Sequence, residues 1–283
     1  MTAATVTLDH VPAMGAAFAR AMVPTHRAAA RLPEATVELL DQRQDPERLA
    51  AYSRVCGFTL KDAVPPTWLH VLTFPLHVHL LGAHDSTVRL VGAVHVSNEM
   101  TMHRPVRADE RLTIRVHADR LRPHAKGALV DLVGEVSVDG ETVWEGISTY
   151  LAHGAHTPGL PEALPRLPFS PAEPHGRWRL GPGLGRAYRG VSHDPNPIHT
   201  SKVLARAFGF PRPVIHGMWT HAHALATLEA RLPASYRVSA GFARPIYLPG
   251  TVGFRTEHHD AGTDVIVTTR DGAKPHMIMR VTP

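Results

Sequence analysis

The stretch Tyr188-Arg189-Gly190-Val191-Ser192-His193-Asp194-Pro195-Asn196-Pro197-Ile198-His199, continued by Phe208-Gly209-Phe210-Pro211-Arg212-Pro213-Val214-Ile215-His216-Gly217, decides how the chain is read. Prolines on both sides of Asn196 bar a regular helix, because proline lacks an amide donor and restricts the residue before it. Asp194 and His199 therefore sit on a stiff loop that can aim both side chains inward. A carboxylate and an imidazole converging on one water can share proton transfer, one taking a proton while the other delivers one. The same residues also fit an Asx-Pro turn with a solvated histidine. The residues alone leave both readings open.

Downstream of this loop, Met218, Leu225, Leu228 and Leu232 give a helix over about Gly217–Leu232 an apolar face, and Pro233 stops it. Segments at Tyr236–Phe242, Gly253–His258, Asp264–Thr269 and Met277–Val281 then read as strands. The first half carries the same theme. A helix is expected at about Thr67–Leu81, then strands at Val88–Ser97, Arg111–Ala118, Leu129–Val138 and Thr142–Leu151, with Asp139-Gly140 as a hairpin turn. Three anchors tie the halves together at nearly constant offset. Tyr52–Cys56 matches Tyr188–Ser192, Phe74-Pro75 matches Arg212-Pro213, and Met102–Val106 matches Phe242–Ile246. Six prolines between His153 and Arg177 read as an extended connector. The expected organisation is an N-terminal unit at 1–152, a proline-rich linker at 153–177 and a C-terminal unit at 178–283. Each unit is one helix plus an antiparallel sheet able to wrap it, an α+β arrangement.

Tyr188, Val191, Ser192, Asp194, Asn196, Pro197, Ile198, His199 and Ala205 resemble the signature of the MaoC-like (R)-specific enoyl-thioester hydratases, and the downstream Arg-Pro-x-x-His-Gly at Arg212–Gly217 also fits. The resemblance implies a double hot-dog fold, two central helices each wrapped by an antiparallel sheet. It implies a hydro-lyase that interconverts trans-2-enoyl and (R)-3-hydroxyacyl thioesters in fatty-acid or polyketide-type metabolism, without cofactor or metal. By the same resemblance Asp194 and His199 activate the water, Asn196 fixes the loop, and the Gly217 amide is an oxyanion donor at a helix start. Ser192, His193, His216, Lys202, Arg206 and Arg212 are the expected substrate-contacting residues, the three cations toward carrier phosphates. The implied partner is an acyl-CoA or acyl-carrier-protein thioester, and a homodimer is a further expectation. One departure stands out: His193 replaces the family's glycine, a position that suggests positive φ. A non-catalytic acyl-thioester-binding subunit is the alternative from a different class, and a hot-dog thioesterase is a third.

At an offset of 136, Phe58, Leu60 and Ala63 fall opposite Asp194, Asn196 and His199, so the N-terminal half is expected to be catalytically empty and to shape the acyl pocket. Composition agrees. The chain has 283 residues, 43% of them hydrophobic, enough for two cored units at ~150 residues each. Its single cysteine, Cys56, excludes an internal disulfide and a cysteine zinc cage. The formal charge is +5, but the arginines form no stripe with interleaved aromatics, so nucleic acid is not expected as a partner. No run reaches the ~20 apolar residues of a membrane span, and the Val11–Ala30 stretch, with Met14 and Met22, is interrupted by charge and proline. A cytoplasmic protein is expected. The pairs His77/His79, His221/His223 and His258/His259 lack the spacing of a metal motif, and Gly181–Gly185 lacks a phosphate-loop lysine.

Overall fold

The structure is a computed structural model that describes residues 4–15, 29–88, 92–164 and 167–283. Met22 with most of the Val11–Ala30 stretch, the early part of the Val88–Ser97 segment and Pro165 lie outside the described residues. The chain divides into two compact units that are not contiguous in sequence. One comprises the chain up to Asp45 with Asp62–Leu164, the other Pro46–Lys61 with the chain from Pro165 onward. This differs from the contiguous division in one segment, Pro46–Lys61, which packs with the C-terminal unit.

The first unit contains strands β1 (Thr5–Leu8) and β2 (Thr36–Gln42), helix α2 (Pro66–Leu81), and strands β3 (Val94–Met102), β4 (Leu112–His124), β5 (Gly127–Val138) and β6 (Glu141–His153), α1 being reserved for the helix Pro46–Cys56 that precedes α2 in the chain. Its sheet runs β1-β2-β4-β5-β6-β3, antiparallel except for the β1–β2 pair. Helix α2 is apolar nearly all round, as a helix enclosed by a sheet must be; Trp68, Leu69, Leu76, Leu80 and Leu81 are fully buried. Pro75 lies inside α2. The expected turn at Asp139-Gly140 forms with positive φ at both residues, 50° and 85°.

The second unit contains α1, β7 (Gly176–Leu180), α3 (Leu184–Ser192), a 3₁₀ turn at Pro197–His199, α4 (Lys202–Ala207) and α5 (Gly217–Ala226). It closes with β8 (Tyr236–Phe242), β9 (Gly250–His259), β10 (Gly262–Thr269) and β11 (Pro275–Thr282). Its antiparallel sheet runs β8-β11-β10-β9-β7. The central helix ends as α at Ala226, with a 3₁₀ turn at Glu229–Arg231 filling the rest of the expected span to Leu232. Each unit is a hot-dog, so the chain has the double hot-dog fold.

Orphan carbonyls explain why α1 belongs to this unit. The last carbonyls of a helix have no partner within it. Trp219 Nε1 donates to the Val55 carbonyl at 2.9 Å, and His223 Nδ1 donates to that of Cys56 at 2.8 Å. Glu229 accepts from the Thr59 amide at 2.8 Å and pairs with Lys61 at 2.9 Å. Tyr52 and Tyr188 lie 6.1 Å apart between ring centroids, and the first repeat anchor ends alike in both copies, Gly57 and His193 each at positive φ with the amide bonded four residues back.

The second anchor does not hold. Pro75 is inside α2, whereas Pro213 lies ahead of α5. The structural counterparts at the helix starts are Pro66, Trp68 and His70 against Gly217, Trp219 and His221, an offset of 151. Bridges confirm that register: Ala63 pairs with Arg107, and Val214 with Tyr247. Ala63 therefore corresponds to Val214, not to His199.

Candidate active site

The Asp194–His199 loop starts where α3 stops. The His193 amide donates to the Arg189 carbonyl at 2.9 Å, and His193 takes the left-handed conformation, φ 59° and ψ 16°. The family's glycine position thus keeps its positive φ with histidine in place, a residue that tolerates this region better than most. The His193 side chain points to the exposed side.

From there the loop is built of short-range polar turns. Asp194 Oδ1 accepts from the Asn196 amide at 2.9 Å, and Asn196 Oδ1 accepts from the Ile198 amide at 3.3 Å. Ser192, 4% exposed, accepts from the Asp194 amide through Oγ at 3.3 Å. Ser192 and Asn196 therefore hold the loop. Asp194 is left with Oδ2 free of these turns.

A second strand of chain locks the loop from the other side. The Val214 amide donates to the Ile198 carbonyl at 3.1 Å, and His199 Nδ1 lies 2.6 Å from the Val214 carbonyl. A carbonyl only accepts, so Nδ1 carries the proton and Nε2 presents a lone pair. Val214 is itself fixed, since Ile215 donates to Ile246 at 2.9 Å and Leu248 donates to Pro213 at 2.8 Å. Gly185 lets α3 lie against the loop, because a Cβ there would collide with the His199 carbonyl oxygen.

His199 Nε2 and His216 Nε2 both face Asp194 Oδ2, at 3.9 and 3.7 Å. The two imidazoles stack with centroids 3.6 Å apart and planes 24° apart, and Tyr188 closes over His216 at 4.8 Å. Burial pushes the His199 imidazole below its ordinary value, partly opposed by the Asp194 charge and the Val214 carbonyl. Burial holds His216 well below its ordinary value, reinforced by His199 and Arg189. Both rings are neutral near pH 7. Asp194, His199 and His216 are also the side chains, among the described residues, clustered tightly enough to hold a metal ion. The rings stack rather than splay, so the two Nε2 atoms lie side by side facing the carboxylate.

Gly217 is the first residue of α5, with His216 as its N-cap at φ −60° and ψ 135°. A first-turn amide has no acceptor inside the helix. Phe242 lies so close that a Cβ at Gly217 would come within 3.1 Å of its ring. The remaining expected residues lie apart from this cluster: Lys202 and Arg206 are exposed on α4, and Arg212 donates to the Pro249 carbonyl at 3.1 Å while stacking on Tyr247. Sequence reasoning misses the Val214 carbonyl, Gly185 and Phe242. The first is a backbone atom with no residue-type signal, and the other two act by close packing that only the fold reveals. It misses Arg48 too, whose Nε donates to the Val191 carbonyl at 2.8 Å from α1.

Comparison with known proteins agrees with this picture. Residues 181–276 match the model of the MaoC like domain. The chain is similar to 3-hydroxyacyl-thioester dehydratase X of Mycobacterium tuberculosis, 37% identical over 253 residues, 89% of this chain and 90% of that protein. The crystal structure of HtdX from the same organism superposes with a TM-score of 0.78 at 35% identity, covering 87% of this chain and 98% of that one. A second structure, from M. tuberculosis and described as a double hot-dog fold, matches at a TM-score of 0.53 and 13% identity over 90% of this chain and 96% of that one, a likeness of fold alone. With its signature loop, its paired hot-dogs and a relative of this similarity along nearly its whole length, the chain belongs to the MaoC-like family of 3-hydroxyacyl-thioester dehydratases.

Proposed function

We propose that the protein is a hydro-lyase that adds water to trans-2-enoyl thioesters, giving (R)-3-hydroxyacyl thioesters, and runs the reverse dehydration at the same site. The observation that carries the reading is the facing pair His199 Nε2 and Asp194 Oδ2 at 3.9 Å. That gap is too long for a hydrogen bond between them and suits an oxygen bound by both.

In hydration, water lies between the two groups. His199, neutral and with its tautomer set by Val214, accepts a water proton at Nε2 as the oxygen bonds to C3. The C2–C3 π electrons move toward the thioester carbonyl, and its oxygen gains enolate character. The Gly217 amide, at the positive end of α5, donates to that oxygen. The proton shared by His199 and Asp194 then returns to C2. Dehydration reverses each transfer. Asn196 and Ser192 position the carboxylate, and His216 packs the imidazole in place. The thioester arrives on coenzyme A or on an acyl carrier protein.

The test is incubation with crotonyl-CoA while following the enoyl absorbance. Loss of that band without release of free thiol is expected. Thiol release would make the protein a thioesterase, and binding without turnover would make it a non-catalytic acyl-binding subunit.

A further inference from the structure

We propose that α4 and its flanks are the docking surface for an acidic acyl carrier protein, which presents its thioester to the adjoining Asp194–His199 loop. The proposal rests on the hydratase reading of that loop and names its carrier.

Helix α4 breaks several local rules at once. Only Ala205 turns fully inward, whereas Val203 is 76% exposed and Leu204 44% exposed. Lys202 sits in the first turn, where the helix dipole favours anions. Lys202 and Arg206 are four residues apart and share a face, a like-charged pair that works against the helix. No aspartate or glutamate occurs anywhere from Pro195 to Leu228, and neither cation has an ion-pair partner among the described residues. Among the described residues no ion pair offsets this combination. Violations of local consistency without internal compensation mark surfaces shaped by function.

The combination fits one kind of partner. Unpaired cations beside projecting apolar side chains complement a helix that is acidic with an apolar ridge, since interfaces pair complementary charge around an apolar centre. A nucleotide diphosphate would use the cations but has no use for Val203 and Leu204. The surface is also rigidly continuous with the chemistry. Ser201 caps α4 through Leu204, and the Thr200 and Ser201 amides both donate to the Pro197 carbonyl at the start of the catalytic turn.

The experiment compares three crotonyl thioesters with the full chain: on acyl carrier protein, on coenzyme A and on pantetheine, which has neither protein nor nucleotide. Val203→Asp is expected to raise KM for the carrier-bound substrate at least tenfold, leaving the other two unchanged; Val203→Ser should shift it in the same direction by less. Equal effects on all three substrates, or no effect on the carrier-bound one, would overturn the proposal. So would Lys202→Glu with Arg206→Glu weakening only crotonyl-CoA. A dimer that Val203→Asp splits, with carrier kinetics intact, would make the face a contact between copies of the chain and end the proposal. If the wild type hydrates none of the three thioesters, the hydratase reading itself fails. Hydration of pantetheine with carrier kinetics indifferent to Val203 sinks the docking surface alone.

Discussion

Two connections in this molecule begin and end alike and differ in what lies between. After α1 the chain needs nine residues, 57–65, to reach α2; after α3 it takes twenty-four, 193–216, to reach α5. Both start with an amide bonded four residues back, Gly57 to Ser53 and His193 to Arg189. Both finish with an isolated bridge, Ala63 to Arg107 and Val214 to Tyr247. The long path carries Asp194, Asn196, His199, His216 and α4, while the short one carries Phe58 and Leu60. The helices they enter differ as well: α5 opens with Gly217, α2 with Pro66, which has no N–H to offer. One fold is used twice, and the proposed chemistry resides in an insertion and one amide. A hot-dog by itself implies no activity; the site does.

The largest effects should come from the insertion. Asp194→Asn and His199→Ala are each expected to lower kcat by roughly 10²- to 10⁴-fold, the usual contribution of a positioned acid or base. Leu60→Ala, on the short path, should leave kcat within about twofold by comparison, given its exposure. Circular dichroism would confirm that the variants stay folded. Near-normal turnover in either loop variant would end the acid–base assignment.

Next in size is the helix start. Gly217→Pro gives α5 the opening that α2 already has. Proline is well tolerated at a helix's first position, and His216 already has the extended backbone that a following proline demands. The substitution removes the amide but also adds a Cβ against Phe242, so Gly217→Ala, which adds the Cβ and keeps the N–H, is the reference. Relative to Ala, Pro should cost roughly 10²- to 10³-fold in kcat. Equal rates would mean that the oxyanion is held elsewhere.

Smaller, and graded, is the response to pH. His199 acts as base only when neutral, and its folded value lies below the ordinary 6.5. Hydration kcat/KM should therefore be level near neutrality and fall about tenfold per unit below that depressed value. Stability follows the same sign. His77 in α2, pushed down to about 4, and His221 in α5, pushed down to about 3, stay neutral when folded, whereas the unfolded chain protonates them below about 6.5. Each should then cost up to about 1.4 kcal/mol per unit as the pH falls from about 6.5 toward its folded value. Urea midpoints between pH 7 and 5 would show it; a midpoint that rises on acidification would contradict the burial of these rings.

Much of this is legible in the amino-acid sequence. The Asp194–His199 loop announces itself through its prolines and its likeness to a known signature, and the strands after each central helix show apolar β-branched runs bounded by turns. What escapes has physical causes. A constant offset across the repeat passes over the insertion, and so hides the true correspondence of Trp68 and His70 with Trp219 and His221. Strand β2, Thr-Val-Glu-Leu-Leu-Asp-Gln, mixes charge with apolar residues and shows no clean alternation. The placement of α1 in the second unit depends on carbonyls capped by Trp219 and His223 more than 160 residues away, a pairing no local window contains. The orientation of His199 depends on the carbonyl of Val214, an atom every residue possesses.

The smallest effects come from the two residues that begin the connections. Gly57 and His193 are equivalent, each just past a helix end and each at positive φ, 87° and 59°. The short connection has glycine there, and the Asp194–His199 loop has histidine. Gly57→Ala places a Cβ 3.0 Å from the His223 ring, whose Nδ1 is engaged with Cys56, and forces a left-handed alanine. A loss of about 1–2 kcal/mol is expected. His193→Gly has no such asymmetry. Relief of the left-handed backbone, about 1 kcal/mol, opposes the greater freedom glycine gives the unfolded chain, about 0.5–1 kcal/mol. The net change should stay below about 1 kcal/mol in either direction, and turnover should hold, because the exposed His193 side chain takes no part in the Asp194–His199–His216 cluster. Urea melts of both variants, with crotonyl-CoA kinetics on the second, measure the two terms separately. If His193→Gly folds normally yet loses tenfold in kcat, the imidazole joins the chemistry, and the loop needs histidine there for more than its backbone.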